Sequence, residues 1–170
     1  YQHYKTIASS VEIPFMLYNV PGRTGVDLLP ETAIRLFNDV NNIYGIKEAT
    51  GSLERATSII SQREDFVVVS GDDSVDFPML ASGAKGIVSV TANLVPDLKV
   101  KLVNSTFNKD FETALKIHNN LFELNKVLFC ESNPIPIKAA MYLAGLLDTL
   151  EFRLPLTSPN KETLNKLENK

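Results

Sequence analysis

Ile43-Tyr44-Gly45-Ile46-Lys47-Glu48-Ala49-Thr50-Gly51 decides how the chain is read, because a short apolar run goes straight into a lysine and stops at a glycine turn. A run of this kind is a strand. Side chains alternate across a strand, so an inward Lys47 takes Gly45 inward with it and leaves Tyr44, Ile46 and Glu48 facing the helices. An ammonium is costly to take out of water. A lysine here therefore either reaches back to solvent along its own stem or is held as a neutral amine for chemistry. A desolvated amine attacks a keto carbonyl and forms a Schiff base. The stretch alone favours the lysine that reaches back to solvent.

The same pattern recurs on either side. Pro14-Phe15-Met16-Leu17-Tyr18-Asn19-Val20-Pro21, Phe66-Val67-Val68-Val69-Ser70-Gly71 and Gly86-Ile87-Val88-Ser89-Val90 are apolar runs that read as strands. Between them lie helical signals: Pro30-Glu31 opening a helix through Phe37, Ser52 capping one with Leu53, Ala56, Ile59 and Ile60, a short one from about Ser74 to Ser82, and Pro96 opening another with Leu98, Leu102 and Val103. Four apolar strands, each followed by a helix, predict a parallel sheet with right-handed crossovers and no solvent-facing side. That is an α/β fold made of four βα units, half of an eightfold barrel that typically takes about 250 residues. A doubly wound open sheet is the competing architecture, since four units do not show closure.

From Lys109 onward the pattern is helical only. Phe111, Ala114, Leu115, Ile117, His118, Leu121, Phe122, Leu124 and Leu128 cover a broad arc of one long helix, expected to pack on two neighbours. A second helix is expected over roughly Ile135 to Leu147, and a third starting at Ser158-Pro159 with Leu164 and Leu167. The predicted organisation is barrel βα units over 1–108 and a C-terminal helical region over 109–170. At the other end Tyr4, Ile7, Ala8 and Val11 already follow a helical period and no initiator Met precedes them, so further sequence is expected ahead of Tyr1.

Composition narrows the classes. The chain has 170 residues, 44% hydrophobic and 22% charged, with seventeen basic against twenty acidic residues and a net charge of -3. There is no basic run to bind nucleic acid and no apolar stretch of membrane-spanning length, and the expected setting is cytoplasmic. Cys130 is the only cysteine; it has no internal disulfide partner and is expected to be a small buried side chain. His118 on the apolar arc reads as a core histidine and His3 as a surface one. Asp72 and Asp73 resemble an acid pair or a metal site, but capping of the following helix is the expected role, and no metal is assigned.

In a closed parallel barrel the reactive groups gather at the carboxyl ends of the strands. Placing Tyr18, Gly71 and Val88 level with Lys47 leaves Met16, Val69 and Gly86 one layer below, with the glycines making space beside the lysine. A phenol, an amine and a small apolar pocket would then share one mouth. Loss of water from a carbinolamine needs a group that donates and accepts a proton at short range, as Tyr18 can. Arg23, five residues further on a Pro21-Gly22 turn, offers a fork for a substrate carboxylate. Taken singly, Tyr18 reads rather as a core tyrosine bonded to backbone and Arg23 as a solvated loop residue.

Tyr18-Asn19-Val20-Pro21-Gly22-Arg23-Thr24-Gly25, Gly45-Ile46-Lys47-Glu48-Ala49-Thr50-Gly51, Ser70-Gly71-Asp72-Asp73, Gly86-Ile87-Val88-Ser89-Val90-Thr91-Ala92-Asn93 and Glu131-Ser132-Asn133-Pro134-Ile135-Pro136-Ile137-Lys138 resemble, in order, the signature blocks of the dihydrodipicolinate synthase family. The resemblance implies the second half of a (β/α)8 TIM barrel followed by a C-terminal helical extension, usually in a homotetramer. The implied reaction condenses pyruvate with L-aspartate 4-semialdehyde to 4-hydroxy-tetrahydrodipicolinate, on the route to diaminopimelate and lysine, with no cofactor. By motif, Lys47 would form the Schiff base, Tyr18 would donate and accept protons, Arg23 would hold the semialdehyde carboxylate, and Val88 and Gly71 would lie against bound pyruvate. Sialic-acid lyases and keto-deoxy-sugar-acid aldolases share the Tyr and Lys blocks, and Arg23 tips the choice to the synthase. A non-catalytic half-barrel is the reading from another class. The family's first barrel half would be missing from these residues, so the isolated chain is expected to turn over poorly unless another chain supplies that half.

Overall fold

The computed structural model describes residues 1–169 of the 170. The chain divides into two compact units, Tyr1–Val88 and Ser89–Lys170.

In the first unit, α1 (Gln2–Ala8) leads into β1 (Phe15–Asn19), the short helix α2 (Pro21–Thr24), α3 (Pro30–Asp39), β2 (Ile43–Glu48), α4 (Leu53–Gln62), β3 (Val67–Ser70), α5 (Asp76–Ala81) and β4 (Gly86–Ile87). The start signals act as anticipated. Pro30 occupies the first turn of α3 with Glu31 beside it, the Ser52 side chain accepts the Arg55 backbone N–H at 3.3 Å, and Asp72 accepts from Ser74 N at 2.9 Å to cap the turn before α5. Each cap satisfies an N–H that has no partner within its own helix.

The four strands pair in parallel in the order β1-β2-β3-β4. This sheet thus lacks the strand-order reversal that marks a doubly wound fold. Leu17, Ile46 and Val68 are register partners and are at most 1% exposed. They join Ala33 and Leu36 of α3, Ala56 and Ile59 of α4, and Met79 of α5 in one core. Beneath it Phe66 stacks on Phe37 with ring centroids 4.6 Å apart. The other face carries Tyr18, 40% exposed, and half-buried Lys47. The expectation of strands without a solvent-facing side is therefore corrected. Helices cover one face; the sequence does not mark the other, because Met16, Gly45, Val69 and Gly86 read as apolar whether or not anything lies over them. Strand β4 is also shorter than its apolar run, which passes at Thr91–Asn93 into a 3-10 turn.

The second unit holds α6 (Pro96–Phe107), α7 (Phe111–Val127), α8 (Ile135–Leu143) and α9 (Lys161–Glu168). Helix α7 packs on both α6 and α9, and Val127, Leu128, Ile137, Ala139, Ala140 and Leu167 form a core of their own. Only part of the broad arc is used: Ala114, Ile117 and Leu121 are buried, whereas Phe111, Leu115 and Phe122 are exposed. Helix α8 stops at Leu143, short of Leu147, and α9 is capped by Asn160, whose Oδ1 accepts from Thr163 N at 2.8 Å, rather than by Ser158. Cys130 is exposed, contrary to expectation. It follows the last turn of α7 and so leaves the packed helix face, with Sγ 3.4 Å from Thr163 Oγ1. His118 is half-buried, and burial together with the charge of Lys99 pushes its imidazole below the ordinary 6.5. Among the described residues no helix is long and apolar enough to cross a membrane.

Candidate active site

Tyr18 and Lys47 are direct register partners across β1 and β2. Both side chains leave the face opposite the helices, and Lys47 Nζ lies 4.3 Å from the centroid of the Tyr18 ring. The amine and the phenol thus share one side of the sheet, at the carboxyl ends of adjacent strands. Tyr18 is anchored from behind, since its carbonyl accepts the Tyr4 hydroxyl at 3.2 Å.

Gly71 sets the path of the lysine. A Cβ placed on Gly71 would stand 2.7 Å from Lys47 Cε and 2.8 Å from Ala49 Cβ, so any side chain there would drive the lysine stem aside. The expectation that several glycines clear space for the amine narrows to this one. Gly45 answers to a different constraint, because its Cβ would meet the Val67 carbonyl oxygen at 2.6 Å. The register also corrects the assumed levels: Lys47 pairs with Val69, which pairs with Gly86, so Gly71 and Val88 stand two positions beyond the lysine's partners. Strand alternation keeps Gly71 on the same side as Val69 and Lys47, which explains why it reaches the lysine stem. Val88 is 48% exposed, with its N–H donated to Ser70 O at 2.8 Å. After β2 the chain turns through Gly51 at φ +77, a left-handed conformation that glycine tolerates, and a Cβ there would come within 3.0 Å of Asp72 Oδ2. The turns after β2 and β3 are therefore fitted to each other.

Behind this face lies a second array. Asn19 and Glu48, the residues after Tyr18 and Lys47, are also register partners, but they point to the helix side and are 1% and 0% exposed. Asn19 Nδ2 donates to Glu48 Oε2 at 3.2 Å and to Asp27 Oδ1 at 3.1 Å, while its Oδ1 accepts the Leu28 N–H at 3.0 Å. Glu48 Oε1 accepts the Thr50 N–H at 2.8 Å. Arg55 on α4 grips Asp27 with both Nη atoms, at 2.9 and 3.0 Å, donates to Leu28 O at 2.7 Å, and brings Nε to 3.8 Å from Glu48 Oε2. Alternation had placed Glu48 on the helix side. What sequence reading missed were Asn19, Asp27 and Arg55 as its companions. The available signal was a carboxylate at the end of an apolar strand, which demands a cation and donors around it.

The chain matches the dihydrodipicolinate synthetase family along residues 1–170. It belongs to that family. A 4-hydroxy-tetrahydrodipicolinate synthase of Aliarcobacter butzleri is 79% identical over 168 residues, and one of a Sulfurovum species is 66% identical over 169; each alignment covers 99% of this chain. The chain spans 57% of the length of both relatives. Among solved structures, dihydrodipicolinate synthase from Aquifex aeolicus superposes with a TM-score of 0.94 at 43% identity, covering 99% of this chain and 57% of that one. A chloride-inhibited synthase from Acinetobacter baumannii, described as complexed with pyruvate, does so at 0.93 and 45%, with the same coverage.

Of the five residues singled out from the family's motifs, the fold brings Tyr18, Lys47 and Gly71 into direct proximity. Val88 lies at the end of the fourth strand, and Arg23 is exposed on α2, beyond the end of β1. The expected Pro21-Gly22 turn is a helix of 4 residues closed by Gly25 at φ +69. A cavity of about 560 Å³ adjoins this edge, lined among others by Tyr4, Tyr18, Thr24, Asp27 and Leu28. Lys47 is not in its lining, so this hollow lies beside the amine's setting and does not contain it. Among the described residues, no group of three or more His, Cys, Asp or Glu is arranged to hold a metal ion.

Proposed function

We propose that this chain carries the imine-forming site of a 4-hydroxy-tetrahydrodipicolinate synthase. The observation that supports it most directly is the 4.3 Å approach of Lys47 Nζ to the Tyr18 ring at paired strand ends. Family membership and the names of the relatives support pyruvate and L-aspartate 4-semialdehyde as the substrates.

On this reading the neutral amine of Lys47 attacks C2 of pyruvate, and the carbinolamine expels one water to give the imine. Tyr18 supplies the proton that leaves with that oxygen and takes protons back in later steps, a role that needs a hydroxyl within short reach. Loss of a C3 proton converts the imine to an enamine, whose C3 adds to the semialdehyde carbonyl. The amino group of the second substrate then displaces Lys47 as the ring closes, which frees the enzyme. Arg23 forks the semialdehyde carboxylate. Gly71 keeps the Lys47 stem in line, and Val88 offers an apolar wall to pyruvate.

The reading carries an architecture with it. The parallel, in-order strands β1 to β4 would be consecutive strands of a (β/α)8 barrel. Helix α6 would complete the fourth unit, so that barrel units occupy 1–108 and a helical extension 109–170. A homo-oligomer working in the cytoplasm belongs to the same proposal.

Borohydride reduction of the full-length protein with pyruvate tests the chemistry. A reduced pyruvate adduct mapped to Lys47 by peptide mass is the expected outcome. An adduct elsewhere, or none in a folded sample, overturns the proposal.

A further inference from the structure

We infer that the Arg55–Asp27 fork is a positioning device for the loop that carries Arg23, and that it governs capture of the carboxylate-bearing second substrate without acting on imine formation. This rests on the function proposed above for Arg23 and Lys47.

The loop between β1 and α3 has little packing of its own to hold it. Residues 22–27 are all exposed, and apolar burial resumes only at Leu28. A loop of this kind is fixed by its polar ties. Inside it, Thr24 Oγ1 donates to Val26 O at 2.9 Å and accepts the Val26 N–H at 3.2 Å, while the Arg23 N–H donates to Val20 O and the Gly25 N–H to Pro21 O, each at 2.9 Å, which shapes the tip. Further attachment comes at the two ends. Asn19 accepts the Leu28 N–H and donates to Asp27, closing the loop on its own start. Arg55 then ties Asp27 and Leu28 to α4, at 2.9 and 3.0 Å to the carboxylate and 2.7 Å to the carbonyl.

The fork carries the loop to another helix, and it fixes direction as well as distance, since two parallel hydrogen bonds permit one relative orientation. The fork's arginine meets the lysine's strand at Glu48, on the opposite face, with Nε 3.8 Å from Oε2. The lysine is held by its own strand and by the absence of a side chain at Gly71. The two halves of the reaction should therefore separate under mutation.

The test is steady-state kinetics of the full-length protein with both substrates, for Arg55→Lys, which keeps a cation and loses the fork, and for Asp27→Asn, which keeps the size and loses the charge. KM for L-aspartate 4-semialdehyde should rise on the order of ten- to a hundredfold, the usual consequence of a binding group misplaced by an ångström or so. KM for pyruvate and the yield of borohydride-trapped adduct on Lys47 should stay at the wild-type level. Asp27→Glu should restore part of the loss. In an Arg23→Ala background, Arg55→Lys should add no further rise, because the fork acts through Arg23. A parallel rise in both KM values, or additive effects of Arg23→Ala and Arg55→Lys, would reduce the fork to a general structural contact and end the inference. If Arg55→Lys does not fold, Asp27→Asn at the more exposed end of the pair decides alone. Absence of any pyruvate adduct in the wild type would remove the underlying reading itself, an outcome distinct from a wild-type adduct with no selective KM change in the variants.

Discussion

At the ends of β1 and β2 two register pairs follow one another, Tyr18 with Lys47 and then Asn19 with Glu48. They are one residue apart in sequence and lie on opposite faces. The first pair stands on the uncovered face, with Tyr18 40% exposed; the second is packed under the helices at 1% and 0%. The first brings an amine over a phenol ring, and the second is held in hydrogen bonds to Leu28, Thr50 and Asp27. Groups proposed to react must be reachable, whereas the buried groups behind them need partners, because a buried polar atom without one is costly. A pleat that alternates every residue delivers both from four adjacent positions.

That contrast breaks most completely at Lys47. Lys47→Arg keeps a long basic side chain on the front face but removes the proposed nucleophile, since a guanidinium is not deprotonated in proteins. Borohydride with pyruvate should then leave no adduct, while the melting temperature stays close to wild type. Tyr18→Phe keeps the ring beside the amine and removes only the hydroxyl. Turnover should fall by about 10²–10⁴, the usual span for a general acid–base group, and mass analysis should still find the reduced adduct on Lys47. A fall confined to KM would instead make Tyr18 a binding residue.

The rear pair should respond in the opposite currency, stability. Glu48→Ala strips the acceptor from Asn19 Nδ2 and from the Thr50 N–H, and takes the nearby carboxylate away from Arg55 Nε. Removing one member of a buried ion pair typically costs 3–5 kcal/mol, and about 3 kcal/mol is expected here because Arg55 keeps Asp27. Urea unfolding of the purified variant measures it. A loss of turnover with unchanged stability would erase the distinction between the two faces.

The smallest effect lies in the helical unit, outside both pairs. Burial and Lys99 hold the folded His118 imidazole below 6.5, so the unfolded chain binds more protons in that range. The contribution of His118 is thus fully present above pH 6.5 and is lost as pH falls through the lower folded value. His118→Gln should flatten the acid side of the stability profile and leave the neutral side alone, as read by thermal melts across pH.

Much of this is legible in the order and spacing of residues. Apolar runs mark β1 to β4, Pro30 and Pro96 mark two helix starts, and Ser52 and Asp72 cap as their chemistry requires. The motif residues at strand ends lead to Lys47 and Tyr18, and the structure places them side by side. Legibility fails where one residue's fate depends on distant ones. Cys130 looks buried by type, but the turn after α7 carries it outward. The apolar arc of α7 looks uniformly packed, yet Phe111, Leu115 and Phe122 stay exposed. Level assignments across strands also slip, because apolar runs carry no mark of register: Val69, and not Gly71, is the partner of Lys47.

What the sequence determined by itself was the local grammar, which elements form, in what order, and which residues at their ends carry an amine, a phenol and a guanidinium. Those follow from period, caps and side-chain chemistry, all of which act over a few neighbouring residues. Only the tertiary structure decided that Arg55, carried on α4, closes on Asp27 in the loop after β1. It likewise decided that one face of the same strands is sealed while the other holds Lys47 over Tyr18. Such pairings join residues tens of positions apart, and their geometry is set by the packing of whole elements, which no local pattern records.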